Sequence, residues 1–230
     1  MAKAKRATRR RAPDGLPPQL IDVLARPGDA ELRRVTGDAL LEAGHPWGEL
    51  IALQFAVAER RASTPIRQRI AELLKQHVAV FAGPIATVAS TLPRKQCLVF
   101  DRGCLDKVRL DRRLVPRAHW EAAAAAPHWA TVSELDLSVL TTPHWWIAAW
   151  ARNPAATRSL RRLAMTAIVL ERGDPSAAWT VVKSSSRSVY ANMLGAFASG
   201  LPAAERARIA FAAKIPKNHR PGLEEALARG

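Results

Sequence analysis

A short hydrophobic pattern, L-x-x-L-x-L, occurs three times in the middle of the chain and constrains its fold more than any other feature. The three copies are Leu105-x-x-Val108-x-Leu110, Val132-x-x-Leu135-x-Leu137 and Leu160-x-x-Leu163-x-Met165. Their starting positions are almost evenly spaced, and each copy is short enough to form one strand. A single strand–helix unit cannot cover its own apolar face, so leucines that recur at one phase indicate stacked units with a shared core.

The spacing falls within the range of about 20–29 residues that leucine-rich repeats have. We therefore predict degenerate leucine-rich-type repeats over residues 96–186, with a helix after each strand, at residues 118–126, 143–152 and 175–183. Thr142-Pro143 and Asp174-Pro175 are typical of an N-cap followed by proline at the first helical position. A fourth match at Ser188, Ala191 and Met193 is poor. The alternative is a chance alignment of leucine-rich segments in another α/β protein.

The segments on either side of the repeats show helical spacing of apolar residues. We predict four helices in residues 17–95 and a helical C-terminal cap in residues 187–230, with helices near 203–213 and 222–229. The first helix ends at Pro27-Gly28. The second has its N-cap at Asp29, contains Leu32, Val35, Leu40 and Leu41, and ends at Gly44. The third starts after Pro46 and contains Leu50, Ile51, Gln54 and Phe55, and the fourth has its N-cap at Thr64-Pro65. Cys97-Leu98-Val99-Phe100 predicts one further strand. The predicted fold is α/β, an α-helical N-terminal cap that continues into a short leucine-rich-repeat-like solenoid.

Three stretches near the amino terminus resemble a known domain of uncharacterised function. They are Val23-Leu24-Ala25-Arg26-Pro27-Gly28-Asp29, Gly37-Asp38-Ala39-Leu40-Leu41-Glu42-Ala43-Gly44 and His45-Pro46-Trp47-Gly48-Glu49-Leu50-Ile51-Ala52-Leu53-Gln54. They resemble the repeat-companion domain of myxobacteria and planctomycetes, which typically stands beside leucine-rich or related repeats. The resemblance is close over residues 20–55 and looser through Phe100-Asp101-Arg102-Gly103-Cys104-Leu105, although the family usually has tryptophan at the position of Ala39 and more acid near Ala43. It implies a helical domain beside repeats, in a bacterial protein, and it implies no activity, cofactor or catalytic residue.

The formal net charge of +15 comes from 35 lysines and arginines against 20 acids. The first twelve residues contain no acid and six of the cations, Lys3, Lys5, Arg6, Arg9, Arg10 and Arg11. We predict that residues 1–16 form a flexible basic arm. Such an arm could neutralise phosphates of a nucleic acid without base specificity, or it could simply keep the chain soluble. The excess of arginine over lysine and the abundant alanine are also typical of a GC-rich genome.

Three His-Trp pairs, His119-Trp120, His128-Trp129 and His144-Trp145, raise the question of a metal site. The intervals between them do not place two imidazoles on one helical face, as a pair four positions apart would be. We therefore expect the tryptophans to pack between strands and helices, and we predict no metal and no cofactor. The motifs GxSxG, HExxH, GxGxxG and the P-loop are absent from the sequence. Ser184 lies in a predicted loop without a nearby His or Asp, so we predict that the chain is not an enzyme.

Strand residues that face away from the core are the natural binding surface of the predicted repeats. They are Lys107, Arg109, Glu134, Asp136, Arg162 and Ala164. Their mixed signs favour a protein partner over nucleic acid. Adjacent Trp145 and Trp146 cannot both face the core, and we assign Trp146 to the partner surface. The predicted function is a protein–protein interaction module, a scaffold or regulatory subunit with an unidentified partner. The alternative is a nucleic-acid or ribonucleoprotein accessory that binds through the arm and the positive surface.

Several features bear on cellular location. No apolar run reaches about 18 residues, so the sequence predicts no membrane span. The basic amino terminus leads into more charge rather than into an apolar segment, unlike a secretory signal. Cys97 and Cys104 lie in a segment predicted to be extended, and we expect both to be reduced and buried. A cytoplasmic location is therefore expected.

Overall fold

The structure is a computed structural model that describes residues 16–89, 97–110, 115–137, 142–184 and 188–229, without the side chains of residues 188–190. The six cations of the predicted arm, from Lys3 to Arg11, lie outside these residues, as do the predicted boundaries at 95/96 and 186/187. The fold is mixed α/β, as predicted, and contains an open sheet of seven strands. One continuous buried core extends from Leu20 in the first helix to Ala226 in the last.

Five helices precede the sheet in the described residues. They are α1 (Gln19–Ala25), α2 (Ala30–Glu42), α3 (Pro46–Ala58), α4 (Thr64–Ala82) and α5 (Ile85–Val88). The later helices are α6 (Arg117–Ala124), α7 (His144–Ala151), α8 (Pro154–Arg158), α9 (Ser188–Gly200), α10 (Ala203–Arg206) and α11 (Arg220–Arg229), with 3-10 helices at Pro127–Thr131 and Lys217–His219. None of the helices in the described segments combines the length and apolarity needed to cross a lipid bilayer.

The order of strands in the sheet is the order of the chain. The strands are β1 (Leu98–Asp101), β2 (Cys104–Arg109), β3 (Glu134–Asp136), β4 (Arg162–Met165), β5 (Ile168–Glu171), β6 (Thr180–Lys183) and β7 (Ala210–Phe211). Strands β2, β3 and β4 are parallel, and so are β6 and β7. The pairs β1–β2, β4–β5 and β5–β6 are antiparallel.

The three hydrophobic repeats form the three neighbouring parallel strands. Lys107 pairs with Glu134, and Glu134 pairs with Arg162, so residues at the same place in successive copies of the sequence pattern lie side by side. The central apolar residues of the copies, Val108, Leu135 and Leu163, are all buried. The predicted strands and their inward faces are therefore confirmed.

The connections between these strands also repeat. Helices α6 and α7 start at equivalent places in the two units, after Pro116 and Pro143, and the predicted helices at 118–126 and 143–152 are confirmed to within two residues at each end. Pro143 is the N-cap of α7 rather than its first residue. Each helix is followed by a short turn of helix that begins with proline, Pro127–Thr131 in the first unit and α8 in the second.

The third predicted helix, at residues 175–183, is wrong. After β4 the chain turns at Thr166, which has φ +52, and returns antiparallel as β5 and then β6. The physical reason is the β-branched and aromatic content of the segment, including Val181, which favours a pleated sheet over a helix. Asp174 does not cap a helix, because it accepts hydrogen bonds from the backbone and side chain of Ser176 in a turn. The poor fourth match at residues 188–193 lies in α9.

Most predicted features of the amino-terminal helices are confirmed, including the N-cap of α2, where Asp29 accepts a 2.9 Å hydrogen bond from Leu32 N. Val35 and Leu41, which belong to the apolar spacing that predicts this helix, are 57% and 46% exposed. Close packing of α3 selects the other face of α2, where a Cβ on Gly37 would lie 2.5 Å from Ile51.

Two helix boundaries also differ from the prediction. Helix α4 is capped by Ser63, one residue before the predicted Thr64. The helix predicted at 203–213 is shorter than expected, because α10 ends at Arg206 and the chain then forms β7.

Tryptophan rings join the helices to the sheet core. Trp146 contacts Trp120, Trp129 and Trp150 with ring centroids 5.2, 6.1 and 5.9 Å apart. Trp150 in turn stacks on Phe197 of α9. The predicted packing role is confirmed for Trp120 and Trp129, and aromatic pairs of this kind contribute roughly 0.5–1.5 kcal/mol beyond their burial.

Candidate functional site

The outward side chains of the three parallel strands form one charged surface. We call Lys107, Arg109, Glu134, Asp136 and Arg162 the strand surface; all five are at least partly exposed. Their placement away from the core agrees with the prediction, because in L-x-x-L-x-L the residues beside each buried leucine point to the opposite side of the strand. Ala164 lies in the same register but is only 8% exposed, so its assignment as a surface residue is corrected.

The charges of the strand surface pair with one another across the strands. Lys107 Nζ lies 2.6 Å from Glu134, and Arg162 lies 3.9 Å from Glu134 and 3.3 Å from Glu171 of β5. The hydrogen bond to Glu134 raises the pKa of Lys107. Arg109 and Asp136 lie 3.7 Å apart. Such exposed pairs contribute at most about 1 kcal/mol each to stability, so they determine the charge pattern of this surface more than the stability of the fold.

Trp146 does not belong to this surface. It is fully buried, and its Nε1 donates a 2.7 Å hydrogen bond to the carbonyl of Trp120, so its assignment as a partner-binding residue is wrong. Its neighbour Trp145 is the exposed ring, at 38%, and Arg117 lies over it with the guanidinium carbon 4.8 Å from the ring centroid. The sequence argument that only one of the two rings is buried is confirmed, but it selected the wrong ring.

An open cavity of about 650 Å³ adjoins the strand surface. It lies between Gly28 of the α1–α2 loop, with Ala30 at the start of α2, and the amino ends of the parallel strands, where Asp106, Ser133 and Arg161 line it. Glu134 and Arg162 line both this cavity and a shallow groove on the strand surface. The cavity and the strand surface are therefore continuous.

The lining of the cavity carries more positive than negative charge. Its five arginines are Arg33, Arg102, Arg158, Arg161 and Arg162, and its three acids are Asp101, Asp106 and Glu134. We call it the arginine cavity. Its position was not predicted, because its lining comes from segments distant in sequence. The arginines in those segments do not form a sequence motif that would indicate a shared site.

A buried cysteine also lines the arginine cavity. Cys104 is 4% exposed, and burial raises the pKa of its thiol to about 11. A thiol in that state stays protonated near neutral pH and is a poor nucleophile. Cys97 is buried as well, and the two cysteines do not form a disulfide, as the sequence predicted.

The three His-Trp pairs do not converge on a common site. His119 and His144 are exposed, whereas His128 is buried beneath Trp47, with ring centroids 6.0 Å apart. Burial lowers the pKa of His128 to about 4, so its ring is neutral at physiological pH. Across the described segments, no three His, Cys, Asp or Glu side chains are grouped closely enough to hold a metal ion.

One serine–histidine pair was missed by sequence reasoning. Ser184 Oγ lies 3.1 Å from His219 Nδ1, although the two residues are far apart in sequence, so the prediction that Ser184 has no nearby histidine is wrong. A catalytic histidine is usually oriented by a third group. In the described part of the chain no carboxylate forms a hydrogen bond or salt bridge with His219.

No protein-family model matches the chain, and no curated protein or solved structure is significantly similar to it. The resemblance to the repeat-companion domain therefore stays a prediction.

Proposed function

We propose that the chain is a non-catalytic protein-recognition module, a scaffold or regulatory subunit, that binds a partner protein through the strand surface. In this proposal β2, β3 and β4 with their connections are a short, degenerate leucine-rich-type unit, and α1 to α5 are its helical cap. The supporting observation is the register of the parallel strands, which follows the spacing of the sequence repeat and so aligns Lys107, Glu134 and Arg162 in one exposed row.

The charge pattern supports a protein as the partner. Positive and negative side chains alternate along this row and pair within it, whereas a nucleic-acid surface would present mostly cations. Complementary mixed charges at an interface determine register and select against wrong partners.

The test is site-specific photo-crosslinking in the cells that make the protein. A photoreactive residue replaces Arg109 or Asp136 on the strand surface, or Lys75 on the exposed side of α4 as the matched control. We expect one protein to be captured from positions 109 and 136 and not from position 75. Capture of the same proteins from all three positions, or of none from the strand surface, would contradict the proposal.

The alternative, a nucleic-acid or ribonucleoprotein accessory, is based on the six cations from Lys3 to Arg11 and the net charge of +15. Purification of the crosslinked chain, with and without nuclease and also for a copy lacking residues 1–12, separates the two functions. Loss of the captured protein after nuclease treatment, and after removal of the arm, would favour the alternative. A crosslinked partner that survives both treatments would support protein recognition.

A further inference from the structure

Arg33 is a buried cation without a carboxylate partner among the described residues. It lies on α2, is 8% exposed and lines the arginine cavity. Its guanidinium donates hydrogen bonds to the backbone carbonyls of Asp101 and Pro27, and its Nε has no acceptor in the described structure. Neither these bonds nor any salt bridge within the described residues brings a negative charge to it. An uncompensated buried charge is costly, so this position favours an anion in the cavity.

Two further arginines of the same lining also lack a salt bridge in the segments that the structure describes. Arg158 donates to the carbonyls of Leu24 and Ala25 at the end of α1, at 2.9 and 3.2 Å. Arg161 is exposed at the entrance to β4. Arg33 of α2, together with Arg158 and Arg161 from the connection between α8 and β4, therefore lines one cavity without a salt bridge among the described residues.

The acids of the lining neutralise only the other two arginines. Asp101 pairs with Arg102 at 3.7 Å, and Glu134 pairs with Arg162. Asp106 accepts a 2.5 Å hydrogen bond from Ser133 Oγ and is the one acid of the lining that opposes an anion without a salt bridge among the described residues.

We propose that the arginine cavity binds a phosphate group, carried either by a small molecule or by a phosphorylated side chain of another protein. A phosphate monoester has about −1.5 to −2 charges and three acceptor oxygens, which matches three unpaired arginines better than the single charge of a carboxylate. The planar guanidinium fork binds phosphate through two parallel hydrogen bonds. The cavity, at about 650 Å³, is of the size of small-molecule sites and leaves room for the molecule that carries the phosphate. This inference does not depend on the strand surface binding a protein.

The first experiment titrates the ¹⁵N-labelled full chain with sodium phosphate against sodium chloride at equal ionic strength. We expect the amide resonances of Gly28, Ala30 and Ser133, which line the cavity, to shift saturably with one dissociation constant. Shifts that do not saturate, or that are absent from these three amides, would overturn the proposal.

The variant Arg161→Gln tests the assigned cations. Since Arg161 is exposed and makes no salt bridge in the described structure, its loss should leave folding intact and weaken phosphate binding about tenfold, as expected for one charge-assisted hydrogen bond. The matched control is Arg67→Gln on the exposed side of α4, which removes the same charge away from the cavity and should change binding less than about twofold. Equal losses in the two variants would show a general charge effect and would overturn the site. Arg33→Lys, which keeps the charge but not the fork, should also weaken binding.

Two comparisons identify the source of the phosphate. A phosphoserine peptide that binds tighter than both inorganic phosphate and its unphosphorylated form would identify a phosphorylated protein. Tighter binding of adenosine monophosphate than of the peptide would identify a small molecule. Malonate serves as a dicarboxylate control, and binding of malonate as tight as that of phosphate would overturn the assignment to phosphate.

Discussion

The indole Nε1 of Trp47 donates a 2.7 Å hydrogen bond to the carbonyl of Gly103. This bond joins α3 to the turn between β1 and β2, and Gln54 of the same helix adds two more, to Phe100 O at 2.9 Å and from Gly103 N at 2.6 Å. The polar residue Gln54, which the sequence places on an apolar helical face, thus satisfies backbone groups of a buried turn. These three hydrogen bonds from α3 hold β1 and the turn that follows it against the helical layer, and Arg33 of α2 adds its bond to Asp101 O.

We predict that Gly103→Ala strongly destabilises the fold. Gly103 has φ +79, and a Cβ there would lie 2.1 Å from Ile51, so the substitution adds backbone strain and a clash. Together these effects should lower the free energy of unfolding by roughly 2–4 kcal/mol, measured by urea denaturation. The matched control is Gly173→Ala, which has open space around the new methyl group and should change stability by less than about 1 kcal/mol. Equal stabilities of the two variants would contradict this packing.

The corrected assignment of the tryptophan pair leads to a second prediction. Trp146→Ala should cost about 3–5 kcal/mol in the same denaturation experiment, because it removes a fully buried ring and leaves a cavity. Trp145→Ala should cost less than about 1 kcal/mol, the approximate value of an exposed ring contact with Arg117. The reverse order of the two losses would show that Trp146 is the exposed ring after all.

Stability should fall in acid because of His128. Its pKa is about 4 in the folded chain and 6.5 in an ordinary histidine, so between these values the unfolded chain binds a proton that the folded chain does not. The contribution of His128 is therefore fully present above pH 6.5 and is lost as pH falls towards 4, a change of roughly 3 kcal/mol. Burial and the charge of His77 lower the pKa of His45 as well, so it acts in the same direction.

The substitution His128→Phe isolates this effect. The slope of unfolding free energy against pH, measured from pH 7 to 4, should become shallower than in the parent chain. A constant offset from repacking against Trp47 does not affect the slope. The control His119→Phe, at an exposed position, should keep the parent slope. An unchanged slope in His128→Phe would refute the role of this ring.

A fourth prediction concerns the acid shared by the arginine cavity and the strand surface. Glu134→Gln removes a negative charge from the lining, so phosphate binding should tighten by roughly threefold. Stability should change by less than about 1 kcal/mol, because the ion pairs of Glu134 with Lys107 and Arg162 are exposed. Glu72→Gln, whose exposed carboxylate pairs with Arg69 on α4, is the matched control and should leave binding unchanged.

Local patterns predicted the parts of the fold that depend on local physics. The period of the apolar residues and the N-cap at Asp29 were sufficient for the long helices, and the phase of the leucines was sufficient for three strands. The hairpin at Thr166 was missed, because Met165 completes the repeat pattern and nothing in L-x-x-L-x-L marks where the repetition stops. The apolar spacing of α2 did not show that Val35 and Leu41 are exposed, because the close approach of α3 at Gly37 determines which side of α2 is buried.

The candidate site also has one part that local sequence patterns predict and one part that they do not. The strand surface follows from alternation along a strand, and residues such as Lys107 could be assigned from the buried leucines alone. The arginine cavity depends on tertiary contacts, since Arg33 reaches it from α2 while Arg161 comes from a segment near the far end of the repeats. The sequence around a single arginine on a helix does not show whether that arginine is buried. The pairing of Ser184 with His219 could not be predicted either, because it too depends on contacts between residues far apart in sequence.

Because the order of the strands in the sheet is their order in the sequence, a strand can be added to this fold without changing how the other strands are connected. Each strand pairs with the strand that precedes it in the sequence. The sheet could therefore form one strand at a time during synthesis, starting next to the amino-terminal helices. A duplicated block running from the start of β3 to the residue before β4 would enter between existing neighbours and shift everything after it outward by one place. The turn at Thr166 and the antiparallel strand β5 would still follow the last parallel strand. Gene duplication could therefore change the number of parallel strands while the elements at both ends of the sheet stay the same.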